Sequence, residues 1–372
     1  MSEASVLSPD DLQRLIDTLG ARGYSVIGPT VDNGAIVYEP ITGADALPTG
    51  RGDEQAGGHY RLTDRGDSEV FGFTVGPQGW KRHLHPPEQV LWTARRRGRG
   101  FTVEGTGTDA TAHAFLGVRP CELSAIVAQD QVLTGGPFAD TGYRARRDGT
   151  FLVAVNCGRP AATCFCASMG TGPAADGHYD IVLTEVADGD RHIYYAEAGS
   201  EAGRDVLATM NAAPAADADR EAAHRVVETA RANMGRHLET DGLPEVLRAN
   251  LDHPRYEKVA ERCLNCGNCT MVCPTCFCTT VEDVTDLTGS EAVRVRRWDS
   301  CFTTDFSYVH GGAVRLNGHA RYRQWLTHKL ATWHDQFGRS GCVGCGRCIT
   351  WCPVGIDITE EAAAIQASER SR

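Results

Sequence analysis

The chain has 372 residues, with 37 Lys and Arg against 48 Asp and Glu and a formal net charge of −11. That length leaves room for two or three domains, each burying its own core, and the acidic balance argues against a nucleic-acid partner. No apolar run approaches the roughly 18 residues of a membrane span. The 15 cysteines need a cause. The N-terminal stretch MSEASVLSPDDLQRL carries no apolar signal segment, so the composition reads as a cytoplasmic protein whose cysteines are ligands rather than disulfides.

In chain order, Ser8-Pro9-Asp10-Asp11 predicts a helix start with Ser8 as N-cap, and Leu12, Leu15, Ile16 and Leu19 follow at helical spacing. Strands at 24–31 and 35–41 flank Asp32-Asn33-Gly34 as a hairpin. The Gly- and Asp-rich stretch 42–70 reads as a long loop, and Phe71-Gly72-Phe73-Thr74-Val75 as another strand. A short helix is expected from Pro86-Pro87 through Gln89, Val90 and Leu91. His83 and His85 before it read as surface or turn residues, not a metal site. The basic run Ala94-Arg95-Arg96-Arg97-Gly98-Arg99 reads as a solvated loop. Buried strands are expected at 112–118 and 151–155, the first leading through Arg119-Pro120-Cys121-Glu122 into a helix. Strands at 179–186 and 193–196 follow, and from Asp217 the pattern turns helical.

Two cysteine runs dominate the rest. Cys263-Leu-Asn-Cys266-Gly-Asn-Cys269-Thr-Met-Val-Cys273-Pro274 and Cys342-Val-Gly-Cys345-Gly-Arg-Cys348-Ile-Thr-Trp-Cys352-Pro353 share the pattern C-x2-C-x2-C-x3-C-P. It is the bacterial ferredoxin pattern for paired [4Fe–4S] clusters, in which the fourth cysteine reaches the other cluster. Cys263, Cys266, Cys269 and Cys352 are thus expected on one cluster, and Cys342, Cys345, Cys348 and Cys273 on its neighbour. Gly267 and Gly346 are expected where backbone passes close to cluster sulfurs. Structural zinc takes four ligands, usually as two C-x2-C pairs, and has no use for the third cysteine of each run. Between the runs lies an insertion holding Tyr322, Trp325, Leu326, Leu330, Trp333 and Phe337 at helical spacing, a stripe expected to pack against the clusters or a partner.

Of the remaining cysteines, Cys121 and Cys157 follow predicted strands, and Cys164-Phe165-Cys166 lies on the loop beyond. Strand ends of one parallel sheet meet at one rim, so these four thiols are expected to hold a third [4Fe–4S] cluster. Cys276, Cys278 and Cys301 are one short of a cubane; they supply a further cluster with a non-cysteine ligand such as Asp299, or pack beside the pair.

The set Gly117-Val-Arg-Pro-Cys121-Glu, Asn156-Cys157, Cys164-Phe-Cys166, Cys273-Pro-Thr-Cys276-Phe-Cys278, Arg297-Trp-Asp-Ser-Cys301 and Gly341-Cys-Val-Gly-Cys345-Gly-Arg-Cys348 resembles one family. It is the iron–sulfur beta subunit of cytoplasmic sulfhydrogenases, the NADP-linked [NiFe] hydrogenases, and the corresponding iron–sulfur subunit of anaerobic sulfite reductases is similar. The resemblance spans residues 110 to 355 and carries nothing functional for 1–110. It implies partners: a flavoprotein subunit with FAD and a [2Fe–2S] cluster, and hydrogenase small and large subunits, or the sulfite reductase subunits in their place.

Together these readings predict an α+β or α/β N-terminal domain over 1–216, a helical linker over 217–255, and a helical, ferredoxin-like domain with two [4Fe–4S] clusters over 256–372, interrupted by an insertion at 279–341. The expected function is electron transfer between other redox centres and the flavin subunit, with no catalytic residue of the chain's own. The alternatives are the corresponding iron–sulfur subunit of a sulfite reductase complex, or direct reduction of a sulfur compound at the N-terminal cluster.

Overall fold

The apolar runs of the N-terminal half lie side by side in one mixed sheet. The computed structural model describes residues 4–105, 107, 111–189 and 191–370. Its strands in chain order are β1 (Ser5–Leu7), β2 (Ser25–Asp32), β3 (Ala35–Pro40), β4 (Arg51–Ala56), β5 (His59–Asp64), β6 (Glu88–Arg97) and β7 (Gly100–Gly105). There follow β8 (His113–Val118), β9 (Thr150–Val155), β10 (Ile181–Asp188), β11 (Arg191–Ala198), β12 (Ala213–Pro214), β13 (Thr279–Thr285) and β14 (Glu291–Trp298). The large sheet runs β12-β1-β11-β10-β9-β8-β2-β3, with β2, β8, β9 and β10 parallel. Both faces of β8 and β9 are buried beyond their first residue, which is why their sequences are unbroken apolar runs without alternation. The C-terminal ends of these strands point to one rim of the sheet, and Cys121 and Cys157 follow them there.

The hairpin of β2 and β3 turns on Asn33 and Gly34 at φ 47° and 74°, the left-handed geometry that matches strand twist. The first helix, Asp11–Ala21, buries Leu12, Leu15, Ile16 and Leu19. It starts later than the Ser8 cap implies, because Ser8 donates its N–H and hydroxyl to the Asp11 carboxylate, at 2.8 and 2.9 Å, instead of accepting from the helix.

Five local expectations fail, each because a distant partner outweighs local pattern. The supposed loop at 42–70 contains the β4–β5 hairpin. Its tip is held by the C-terminal half: Gly58 N–H donates to the Ile349 carbonyl at 3.1 Å, and Tyr60 stacks on Trp351 at 5.0 Å. Phe71-Gly72-Phe73-Thr74-Val75 is buried but forms no ladder; the Phe71 and Phe73 carbonyls accept from the Arg119 guanidinium, both at 2.8 Å. The residues expected to form a helix after Pro87 are instead strand β6, and the short helix is Lys81–Leu84 before them. Strand β6 pairs with β14, which lies between the two cysteine runs, giving a sheet β13-β14-β6-β7 that joins distant parts of the chain. The basic run is therefore strand and turn; Arg95 pairs with Glu104 and Glu291. His85 is 1% exposed, not a surface residue, and it stacks beside Trp298 of β14.

The C-terminal half has its own core. Leu243 and Leu247 from the preceding helix Leu243–Ala249 pack with Tyr256, Trp325, Leu330, Ile349 and Ile358. The aromatic stripe is one continuous helical stretch: helix Gly318–Thr327, a π-helical turn His328–Thr332 and helix Trp333–Phe337. A π-turn adds a residue to a helical turn and so re-aims the side chains beyond it. Here it sends Lys329, a long cation, into the interior among the cysteines.

Candidate iron–sulfur centres

Each ferredoxin run is a turn followed by one short helix, Asn268–Met271 in the first and Arg347–Thr350 in the second. Gly267 and Gly346 precede these helices at φ 75°, a backbone state that glycine adopts without penalty. The nearest atoms to a side chain at these positions belong to Ser300 and Thr163, so their need is the left-handed turn and tight backbone packing rather than approach to sulfur.

Cys263, Cys266 and Cys269 line one hollow together with Cys352 from the second run. Its other walls are mostly apolar and include Phe302, Tyr322, Trp325 and Ile356, with Cys348 at its edge. Burial pushes the Cys269 thiol well up, and Cys301, Cys263, Cys352 and Cys266 add to this, in that order. The Asn265 N–H points at the Cys263 sulfur at 3.5 Å.

In the second set, burial raises the Cys348 thiol, followed by the nearby Cys342, Cys345 and Cys273. The Gly344 N–H donates to the Cys342 sulfur at 3.4 Å. Cys273 behaves oppositely. A hydrogen bond from Cys276, with the Lys329 ammonium at 3.0 Å and Thr275 at 3.2 Å, holds it well below the usual thiol range.

The upstream cysteines also come together. Burial pushes the Cys121 thiol well up, and after it Cys345, Cys166, Glu122 and Cys157 act in the same direction. Cys164 is likewise raised by burial and then by Cys166, and Cys166, pushed up to about 12, feels burial and then Cys157 and Cys345. Buried thiols that repel one another as thiolates are a donor set that metal binding relieves, because ligation removes the protons and supplies positive charge. Among the described residues, no three Cys, His, Asp or Glu side chains converge at single-ion distance. A cubane binds each thiolate to a different iron, so its donors stand further apart than those of one ion, and soft sulfur donors suit it.

The family model for a 4Fe-4S dicluster domain matches residues 262–356. The chain is 35% identical over 289 residues to Sulfhydrogenase 2 subunit beta of Pyrococcus furiosus, covering 75% of this chain and 82% of that protein. The chain belongs to the sulfhydrogenase beta-subunit family. It is an iron–sulfur, electron-transport subunit with a mixed α/β fold and a C-terminal dicluster domain. No solved structure matches it. Among the described residues no helix is long and apolar enough to cross a membrane.

For this family member, several residues that organise the centres gave little sign of it in the sequence. Glu122, next to Cys121, accepts from Arg347, next to Cys348, at 2.6 Å, and both are essentially inaccessible. The second Glu122 oxygen accepts from the Tyr38 hydroxyl at 2.9 Å and Trp80 Nε1 at 3.1 Å. Arg347 also donates to the Gly76 and Gln78 carbonyls at 2.8 and 2.9 Å. Such a pair survives burial only because further hydrogen bonds satisfy it. Lys329 had one available signal: a lysine between Leu326 and Leu330 interrupts an otherwise apolar helical face.

Proposed function

We propose that the chain relays single electrons through three [4Fe–4S] clusters, between a flavoprotein partner carrying FAD and a [2Fe–2S] cluster and the hydrogenase small and large subunits. Cys263, Cys266, Cys269 and Cys352 hold the first; Cys342, Cys345, Cys348 and Cys273 the second; Cys121, Cys157, Cys164 and Cys166 the third. The third belongs with residues 1–216, and 217–255 link it to the dicluster part at 256–372. When bound, the clusters supply one-electron redox chemistry, and their potentials depend on burial, charge and hydrogen bonds to sulfur.

The observation that carries this reading is contiguity. Cys121, Cys166 and Cys345 share one buried packing group, and Cys348 borders the hollow lined by Cys263, Cys266 and Cys269. Each set therefore adjoins the next, as a one-electron path requires. The chain's own residues bury the sets, exclude water from them and aim N–H groups such as those of Asn265 and Gly344 at sulfur. The relative from Pyrococcus is by name a sulfhydrogenase subunit, which supports hydrogenase partners for this chain.

The test is iron and acid-labile sulfide in protein purified without oxygen: at least about twelve of each per chain, or about eight if only the ferredoxin pair forms. Cys352→Ala should damage the cluster of Cys263, Cys266 and Cys269 rather than the one adjacent in sequence. Stoichiometric zinc without broad visible absorption would sink the redox reading, and a Cys352→Ala spectrum altered only in the second cluster would refute the crossed ligation.

A further inference from the structure

Cys276, Cys278 and Cys301 belong to none of the three sets, yet they are not scattered. They lie where the β13–β14 ribbon enters the C-terminal core. Thr279 pairs with Trp298, and one residue further the Asp299 N–H donates to the Cys278 carbonyl at 2.8 Å. Continuing that register sets Cys278 across from Asp299 and Cys276 across from Cys301. Directly opposed residues of an antiparallel pair share a face, as do residues two apart on one strand. The ribbon thus offers C-x-C from one strand and D-x-C from the other on a single face. In keeping with this, Cys301 is pushed up to about 12 by burial and then by Cys278.

Two buried ammonium groups stand against this face. Lys329, 3% exposed, donates to the Cys273 sulfur at 3.0 Å and to Thr275 at 3.1 Å, and its charge acts on Cys276, Cys278 and Cys301 alike. Lys81, 7% exposed, donates to the Cys276 carbonyl at 3.1 Å and sits 3.7 Å over the Trp298 ring. Among the described residues, no carboxylate forms an ion pair with either lysine; their partners are carbonyls, a hydroxyl and sulfur. Burying two cations is costly unless anions face them. Cys273, already assigned to the second cluster, faces Lys329, whereas the cysteine that acts most strongly on Lys81 is Cys276.

We infer that Cys276, Cys278 and Cys301 hold a further [4Fe–4S] cluster, with Asp299 presented to its fourth iron. Three thiolates and a carboxylate leave such a cluster with net negative charge, which Lys81 and Lys329 would face together with the cluster of Cys273. A single ion suits the site less, since no three of these side chains converge at single-ion distance. The centre adjoins the set of Cys342, Cys345, Cys348 and Cys273 through the Cys273–Cys276 contact, with Lys329 between them. It goes beyond the three clusters proposed above and does not depend on the third of them.

The experiment uses the full-length chain purified without oxygen, with iron, acid-labile sulfide and zinc measured and low-temperature paramagnetic spectra taken on reduction. The double variant Cys278→Ser/Cys301→Ser should lose about four irons and four sulfides per chain and one spectral component. Cys157→Ala should remove a different component, so failure of the third cluster and failure of this one are told apart. Asp299→Cys is the second variant, chosen in case the serine pair disturbs folding. It should keep the wild-type iron content and alter the signal of one component, because sulfur replaces oxygen on one iron. Unchanged iron in the double variant, zinc in place of iron, or an Asp299→Cys spectrum superimposable on the wild type overturns the assignment.

Discussion

The imidazole of His85 shows how a single residue is governed by its surroundings. Burial, then the positive Arg296 and Lys81, hold its pKa down to about 3, against the smaller opposite pull of Asp140. In the unfolded chain the same group takes up a proton near pH ~6.5. Between those limits the unfolded state binds more protons than the native one, so stability rises with pH across this window and falls as the solution is acidified. His85→Phe should therefore flatten the profile. On going from neutral pH to about pH 5.5, its urea midpoint should fall less than the wild type's, by the equivalent of about 1 kcal/mol. Equal slopes for the two proteins would show that His85 does not remain neutral in the fold. A histidine pair before Pro86-Pro87 gave no hint of this burial, because the β14 strand that covers it lies two hundred residues away in the chain.

At the scale of elements, the short helices after Gly267 and Gly346 turn linear motifs into three-dimensional donor sets. Gly346 combines two constraints: φ is 75°, and a Cβ there would stand 2.5 Å from the Thr163 carbonyl oxygen. Gly338 has only the first, with φ 69° and open space around it. Gly338→Ala should thus cost about 1 kcal/mol, the left-handed penalty alone. Gly346→Ala should cost about 3 kcal/mol or more and bleach part of the visible absorption, since the Cys164–Cys166 loop must shift. Denaturant midpoints under anaerobic conditions decide this; equal losses would mean that the Thr163 contact yields freely. The motif itself was plain in the sequence, but the reason for its glycines was not, because Thr163 approaches from the other half of the chain.

For the whole molecule, the Glu122–Arg347 pair joins the rim of the N-terminal sheet to the second ferredoxin run. Glu122→Gln leaves a buried guanidinium without its counter-ion and should destabilise the protein by about 3–5 kcal/mol. Glu122→Gln/Arg347→Met removes both charges and should cost clearly less than the single variant. Unfolding monitored by circular dichroism, with visible absorption followed in parallel, makes the comparison. A double variant as unstable as the single one would assign the loss to packing instead of charge. The two halves are further interlocked by the Gly344 carbonyl, which accepts the Phe165 N–H at 2.9 Å, and by the Val343 carbonyl, which accepts the Thr171 hydroxyl at 2.7 Å.

The sequence by itself determined the local and chemical features. Cysteine spacing within each run identified the dicluster domain, since a motif that wraps one object must be short and regular. Unbroken apolar runs located β8 and β9, since strands buried on both faces leave no room for polar alternation. The tertiary structure alone decided the features that depend on contacts between distant residues. It made strands of 88–97 and of part of the Gly- and Asp-rich stretch, because pairing with β14 and docking on Ile349 and Trp351 outweigh weak propensity. It also set Lys81 and Lys329 beside Cys276, Cys278 and Cys301. The reason is physical: propensity acts over a few residues, whereas burying charge is settled by whichever partners the whole fold brings within reach.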